Sequence, residues 1–404
     1  MPYRKIILLA LAPIALIIYL MRPFIHFRFG RIESGRIGHF TQDVEAYLCA
    51  IDGNKPKNTV DLIYCPEPTS NEQLKLMWKR SLCILPFWRF WSALDHACRH
   101  WLQGNYHTVS LFDRSKDHKL IGSKPTHLKF TPEEDKRGQE LLRKLGLPLG
   151  VPWVCIHNRD SAYLDNKIGA FRTYHGAPGY DLHRNFKIKS LINATNEFVS
   201  RGFYVIRVGS IVSEPFKHRD KRVIDYPLTG LQCDFLDLYL LSKCDFYFGS
   251  DSGISTIPFV FGKPVCTINY NSTLIYQLID RNIAFPFIFK RLFKESESRY
   301  LTLEEIYLFN YEGMDEAILF INTGIKVISN TCEEIHKLSI EMLNRIQGQW
   351  QAEPGDDELQ NLFWEIYNKY AKKPKPSNCT LKVGASFLRN NKDLLRQSAD
   401  TSIK

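Results

Sequence analysis

The sequence predicts an α/β protein built of two doubly wound, Rossmann-like halves behind an apolar N-terminal helix. Three observations carry this. Short β-branched or aromatic runs alternate with stretches of helical periodicity along most of the chain. A break, Leu147-Pro148-Leu149-Gly150, separates two such series. Residues 6–21 hold no charged side chain.

The apolar stretch comes first. Arg4 and Lys5 precede it, and Arg22, Arg28, Arg31 and Arg36 follow. A spanning helix needs roughly 17–25 apolar residues, so residues 1–28 read as a membrane anchor of marginal length, interrupted by Pro13. A helix lying in the interface is the alternative. The larger basic cluster lies downstream, which keeps the rest of the chain on the cytoplasmic side.

The first half, residues 29–148, opens on a strand-like lead into Arg36-Ile37-Gly38-His39-Phe40, with a turn at Gly38 and His39 and a helix from Thr41 to about Ala50. Residues 58–65 read as a strand, 70–80 and 89–103 as helices, and 107–112 as a strand. Thr131-Pro132-Glu133-Glu134 starts a helix that ends at Gly146. The second half, 149–350, repeats the alternation. Strands are expected at 152–157, 203–208, 222–225, 245–248 and 264–269, with helices at 188–201, 235–244 and 252–261. Residues 351–404 supply one helix, 359–370, then a Lys/Pro segment and a mobile tail.

Composition narrows the function. Of 404 residues, 44% are hydrophobic and 24% charged, which excludes disorder over most of the length. A net charge of +10 favours anionic partners, a phosphorylated substrate or anionic lipid. Neither a Lys/Arg block nor zinc-finger spacing is present, so nucleic acid is not an expected partner. The ten cysteines form no CxxC pair and read as free thiols in a reducing compartment.

Four constellations carry candidate chemistry. A strand ends in His157-Asn158-Arg159-Asp160, which puts a guanidinium fork and a carboxylate at the carboxyl edge of a sheet, where open α/β folds bind ligands. A second strand runs into Gly249-Ser250-Asp251-Ser252-Gly253, whose small residues and hydroxyls suit an anion; Ser250, Asp251, Ser252 and Gly253 are donor-site candidates. In the first half, His39, Asp43 and Glu45 are candidates for the base that takes a proton from a hydroxyl, His39 and Asp43 sharing a helix face at i, i+4. Arg207 ends a further strand and joins the donor set, and the long connection after 157 offers Tyr163, Asp165, His175, Arg184 and Asn185. No metal motif is visible, and Asp356-Asp357-Glu358 reads as a loop with no metal role.

The string His157-Asn158-Arg159-Asp160-Ser161-Ala162-Tyr163-Leu164 resembles a signature of bacterial glycosyltransferases encoded in surface-polysaccharide gene clusters. Arg36 to His39, Arg184-Asn185, Tyr204 to Gly209, Asp234 to Asp237 and Gly384 to Leu388 resemble the same group. More distantly, His157-x-Arg159 is similar to a motif of fucosyltransferases, and Gly249 to Gly253 to the donor turn of heptosyltransferases. The resemblance implies a GT-B architecture, two Rossmann-like domains facing a cleft, without metal or cofactor. It implies a nucleotide-diphosphate sugar at Arg159 and Ser250 to Gly253, and a lipid-linked or lipopolysaccharide acceptor near Arg36 to Glu45. An inverting transfer at the cytoplasmic face of the inner membrane follows. Two rivals stand beside it: a nucleotide-sugar epimerase of the same architecture, and a non-catalytic sugar-nucleotide-binding scaffold.

Overall fold

The computed structural model describes residues 2–52, 56–102, 107–109, 111, 121–122, 125–163, 166, 184–281, 284–308 and 323–396. It divides into two compact units, Met1–Arg137 with Phe259–Gly262, and Gly138–Pro258 with Lys263–Lys404. Both are mixed α/β and are built on parallel sheets.

In unit 1, helix α1 (Pro2–Met21) precedes β1 (His26–Arg31), α2 (Ile37–Ile51), β2 (Thr59–Tyr64), α3 (Glu72–Ser81), β3 (Ile84–Leu85) and α4 (Trp88–Trp101). The strands pair in parallel in the order β1-β2-β3, and Thr108 bridges β1 at Phe29. The strand expected over 107–112 is reduced among the described residues to that bridge. Helix α2 begins four residues earlier than the expected Thr41. Arg36 is extended and accepts the Phe40 N–H, so Gly38 and His39 form the first helical turn and not a loop. Phe40, Val44 and Leu48, spaced by four, are the buried stripe that sets this start.

The expected membrane-spanning anchor is corrected. A helix does form over Pro2–Met21, but among the described residues no helix is long and apolar enough to cross a membrane. The uncharged run of residues 6–21 reaches only about 24 Å at ~1.5 Å per residue, short of the ~30 Å hydrocarbon layer. Its Leu11, Ala15 and Ile18 pack instead on Phe29, Tyr64, Leu94 and Cys98.

Helix α5 (Pro132–Lys144) carries the residues at which the two units divide. Its start is a reciprocal cap: Glu134 N–H donates to Thr131 Oγ1, and Thr131 N–H to Glu134 Oε2. Gly146 then takes φ +84°, the left-handed exit that glycine tolerates.

Unit 2 is organised by β4 (Trp153–His157), α6 (Ile192–Ser200), β5 (Tyr204–Arg207), β6 (Val223–Asp225), α7 (Asp234–Lys243), β7 (Phe246–Ser250), α8 (Thr256–Val260), β8 (Val265–Tyr270), α9 (Ile275–Arg281) and β9 (Phe287–Phe289). All six strands are parallel, in the order β6-β5-β4-β7-β8-β9. Renumbered from β4, this is 3-2-1-4-5-6, the doubly wound order whose switch point lies between β4 and β7. The strands are buried through, Phe246 to Phe248 and Cys266 among them, which is why they read as unbroken apolar runs.

The β4–β7 seam depends on a glycine. A Cβ on Gly249 would lie 2.3 Å from the His157 carbonyl oxygen and 2.8 Å from its nitrogen. Gly249→Ala is expected to destabilise unit 2 by about 3 kcal/mol, read as a lower urea midpoint, because neither strand can move out of a six-stranded sheet. A midpoint equal to the parent's would contradict the seam.

The sequence left residues 270–350 without elements. The structure places there β9, an antiparallel sheet of β10 (Arg291–Lys294), β11 (Arg299–Tyr300) and β12 (Ile325–Ile328), and helices α10 (Leu303–Leu308) and α11 (Cys332–Ile346). The expected mobile tail is also corrected for its described part. After α12 (Asp356–Tyr370), Leu381 and Val383 are buried, Val383 bridges Phe287, and α13 (Ala385–Asn390) sets Phe387 against Phe289 at 4.9 Å. Apolar side chains at 381, 383, 387 and 388 hold this segment to the sheet edge. Asp356 opens α12 rather than a loop, buried and paired with Arg389 at 2.6 Å.

Candidate functional site

The switch point of unit 2 collects most of the donor candidates. His157↔Gly249 is the last register pair of β4 and β7, so Asn158-Arg159 leave the sheet beside Ser250, the last residue of β7, and Asp251. His157 Nδ1 donates to the Val208 carbonyl at 2.9 Å, which fixes the tautomer and leaves Nε2 without a proton. Desolvation lowers its pKa to about 4, with the Arg207 charge acting in the same direction and the Val208 contact opposing. His157 is therefore neutral at pH 7.

The folded pKa lies below the unfolded value of about 6.5, so the stabilisation is present above that pH and is lost as pH falls toward 4. The parent is expected to lose up to ~3 kcal/mol more than His157→Asn across this window, measured as urea midpoints at several pH values. Parallel profiles for the two proteins would refute it.

Beside β7, a small cavity is lined by Arg184, Ser250, Asp251, Asn269, Tyr270 and Asn271. Asp251 does not face it as a lone acid. Arg281 Nη1 donates to its Oδ1 at 2.7 Å, Ser255 Oγ donates to the same oxygen at 3.2 Å, and Arg184 Nη2 donates to the Asp251 carbonyl at 3.1 Å. Burial alone would raise the Asp251 carboxyl; Arg281 and Arg184 outweigh it and hold it below the usual range. Asp251 thus orients two arginines. Ser250 Oγ and Asn269 Nδ2 are buried without a hydrogen-bond partner, and Asn269 adopts φ +51° at the end of β8. These polar atoms and the left-handed Asn269 line one small polar cavity. Ser252 and Gly253 lie at the turn into the short helical segment Gly253–Ser255, where Ser252 N–H donates to Ser255 Oγ.

Lys290 is the residue sequence reasoning missed. It is buried, and its Nζ donates to the Asn185 carbonyl at 2.7 Å. Desolvation, then Arg159 and Arg184, lower its pKa to about 8. The charges of Arg159 and Arg184 are thus felt at Lys290, and the Arg159 carbonyl accepts the Phe186 N–H. The Asp251 carboxylate, 3.8 Å from Arg184 Nη2, offsets part of this positive charge.

Two donor candidates take other roles. Arg207 is fully buried; its Nη1 donates to the Glu214 carbonyl at 2.6 Å and its Nη2 to Asn158 Oδ1 at 3.1 Å, with Asp225 at 3.4 Å. It ties strand ends together and presents no fork to a ligand. Asp160 accepts from Ala162 N–H, Ser213 N–H and Ser213 Oγ and lies 3.9 Å from Arg207 Nη2, and so organises the loop at 213. Asn158 is the hidden connector, donating to the Phe186 carbonyl at 3.0 Å. Tyr163 follows Ala162, the first helical residue of this stretch, while Asp165 and His175 lie outside the described residues.

In unit 1, His39 Nδ1 donates to Asp43 Oδ2 at 2.9 Å, both partly exposed on the first turns of α2. The carboxylate orients the ring. Glu45 is separated from this pair. Its side chain is 2% exposed and receives the backbone N–H and Nδ1 of His127. Cys49 Sγ lies 3.8 Å from the same carboxylate. The sequence showed no cluster of metal-capable side chains, yet Glu45, Cys49 and His127 bring such atoms within 4.8 Å of one another. The fold creates this group from residues 82 apart, with Glu45 anchoring the 127 segment.

No family model matches the chain, and no curated protein matches it. Among solved structures, it is similar to a glycosyl transferase family 9 protein from Veillonella parvula DSM 2008, with 10% identity and TM-score 0.37 over 60% of this chain and 80% of that one. It is similar to E. coli ADP-heptose lps heptosyltransferase II, with 9% identity and TM-score 0.32 over 60% and 84%. A third is the dodecameric iron-containing heptosyltransferase TibC in complex with ADP-D-beta-D-heptose, with 11% identity and TM-score 0.37 over 80% and 77%. At TM-scores below 0.5 these likenesses carry no weight in assigning chemistry to this chain.

Proposed function

We propose that this protein is a glycosyltransferase that takes a sugar from a nucleotide-diphosphate donor and delivers it to a glycan or lipid-linked acceptor in surface-polysaccharide assembly. The observation that carries the reading is Arg159, just past β4 at the switch point of a sheet in 3-2-1-4-5-6 order, whose charge, with that of Arg184, is felt at the buried Lys290 beyond β9. A diphosphate offsets three neighbouring positive charges, and the same charges offset the one that develops on the nucleotide as it leaves. The cavity at Ser250 and Asn269 supplies neutral donors for hydroxyl or carbonyl oxygens beyond the phosphates. The His39–Asp43 pair is assigned to take the acceptor hydroxyl proton, with attack opposite the leaving nucleotide and inversion at the anomeric carbon. The GT-B architecture, action without a metal and a cytoplasmic face of the inner membrane belong to the same reading.

The test is calorimetric titration of the full chain with a panel of nucleotide-diphosphate sugars, followed by donor hydrolysis assays. One donor class is expected to bind, and Arg159→Ala to weaken it about tenfold, the loss of one half-exposed charged contact. Titrations unchanged by Arg159→Ala would discard the site. The same donor bound and epimerised without an acceptor would replace transfer by epimerisation.

A further inference from the structure

From Ile6 onward helix α1 is apolar around its whole circumference, yet only one face is covered. Leu11, Ala15 and Ile18 pack into unit 1, while Ile6, Leu9, Leu16, Ile17 and Leu20 are each more than half exposed. At 100° per residue these five fall with Pro13 on the side away from Ala15, a continuous apolar stripe about 22 Å long. A stripe of that length facing outward is far more than the scattered surface leucines of an ordinary domain. The helix cannot adjust its position freely. It is pinned to α4, where Trp101 Nε1 donates to the Leu8 carbonyl at 3.3 Å and leaves a half-exposed indole beside the stripe.

We infer that unit 1 docks on an anionic lipid surface through this outer face, with α1 lying in the plane of the interface. The charges fit that occupant. No acidic residue occurs before Glu33, Lys5 is exposed at one end, and Arg22, 6.0 Å from the Tyr19 ring, stands at the other. Cations at both ends with an aromatic ring beside them suit headgroups above an acyl boundary. The stripe carries no polar side chain that would fix the register of a protein partner, and a lipid surface needs none. The run is also too short to cross the bilayer, which leaves the in-plane orientation. This inference is independent of the donor chemistry of unit 2.

Co-sedimentation of the full-length chain with vesicles tests it. The parent is expected to bind vesicles of phosphatidylcholine mixed with phosphatidylglycerol more tightly than phosphatidylcholine alone, and to be stripped from them by alkaline carbonate. The exposed double variant Leu9→Glu, Leu16→Glu is expected to bind about a hundredfold more weakly. Leu76→Glu, an equally exposed site on α3, is expected to bind as the parent does. Circular dichroism checks that all three are folded. Failure of the parent to bind, binding unchanged in the double variant, or resistance to carbonate would each overturn the inference. So would a dimer seen by sedimentation equilibrium that the double variant dissolves while vesicle binding is absent, since a second copy would then cover the face.

Discussion

Replacing Lys290 by Met should weaken binding of a nucleotide-diphosphate sugar about a hundredfold while leaving the fold intact. Lys290 is buried just past β9, and its ammonium feels the charges of Arg159 and Arg184. A charge-assisted contact made away from water is worth ~1.5–3 kcal/mol, so one such loss spans about one to two decades of affinity. Met preserves the unbranched stem, which limits damage to packing. The same residue gives the site a pH signature. Its folded pKa of about 8 means that the ammonium is present below that pH and lost above it. A diphosphate stays ionised throughout, so parental affinity should fall as pH rises through about 8, and the Lys290→Met profile should be flat there. Titration calorimetry at several pH values reads both. A parental affinity constant from pH 7 to 9, or a variant that binds like the parent, would remove Lys290 from the donor site.

Arg207→Ala should be the most destabilising of the substitutions considered, by about 3–5 kcal/mol in unit 2. The guanidinium has no exposure and is held by the Glu214 carbonyl, Asn158 and Asp225. Truncation leaves the Glu214 carbonyl and Asn158 Oδ1 without this donor and removes the charge facing Asp225, which keeps the Phe216 N–H. The reading is the unfolding midpoint in urea. If Arg207 were instead a phosphate ligand, the midpoint would stay and donor affinity alone would fall.

The two arginines show what sequence can and cannot resolve. Arg159 and Arg207 both end strands of the second half, and on the linear chain they are equivalent. Only the sheet order separates them. β4 borders the switch point, so a residue just past its end meets the opening, whereas the end of β5 lies between β4 and β6 and is closed by the loop at 213–216. Glu45 and Asp43 differ in the same way, two positions apart on α2. Asp43 stays with His39 at the exposed turn, and the helix rotates Glu45 inward to His127.

Much of the fold was legible because strands of a parallel sheet are buried on both faces and appear as short apolar runs between helical periods. The alternation gave the doubly wound class of unit 2 and placed five of its six strands within a few residues. Residues 270–350 gave no such signal: β10 to β12 are short, antiparallel and partly exposed, so their composition is mixed.

By itself the sequence determined the α/β class, the two strand ends that carry His157-Asn158-Arg159 and Gly249-Ser250-Asp251, and the i, i+4 pairing of His39 with Asp43, since each depends on contacts within a few residues. Tertiary structure alone decided that Lys290 joins Arg159 and Arg184, that Arg207 is sealed inside, and that α1 covers a core with one face only. These depend on which distant segments share a sheet edge, and burial and charge proximity across such distances leave no local pattern along the chain.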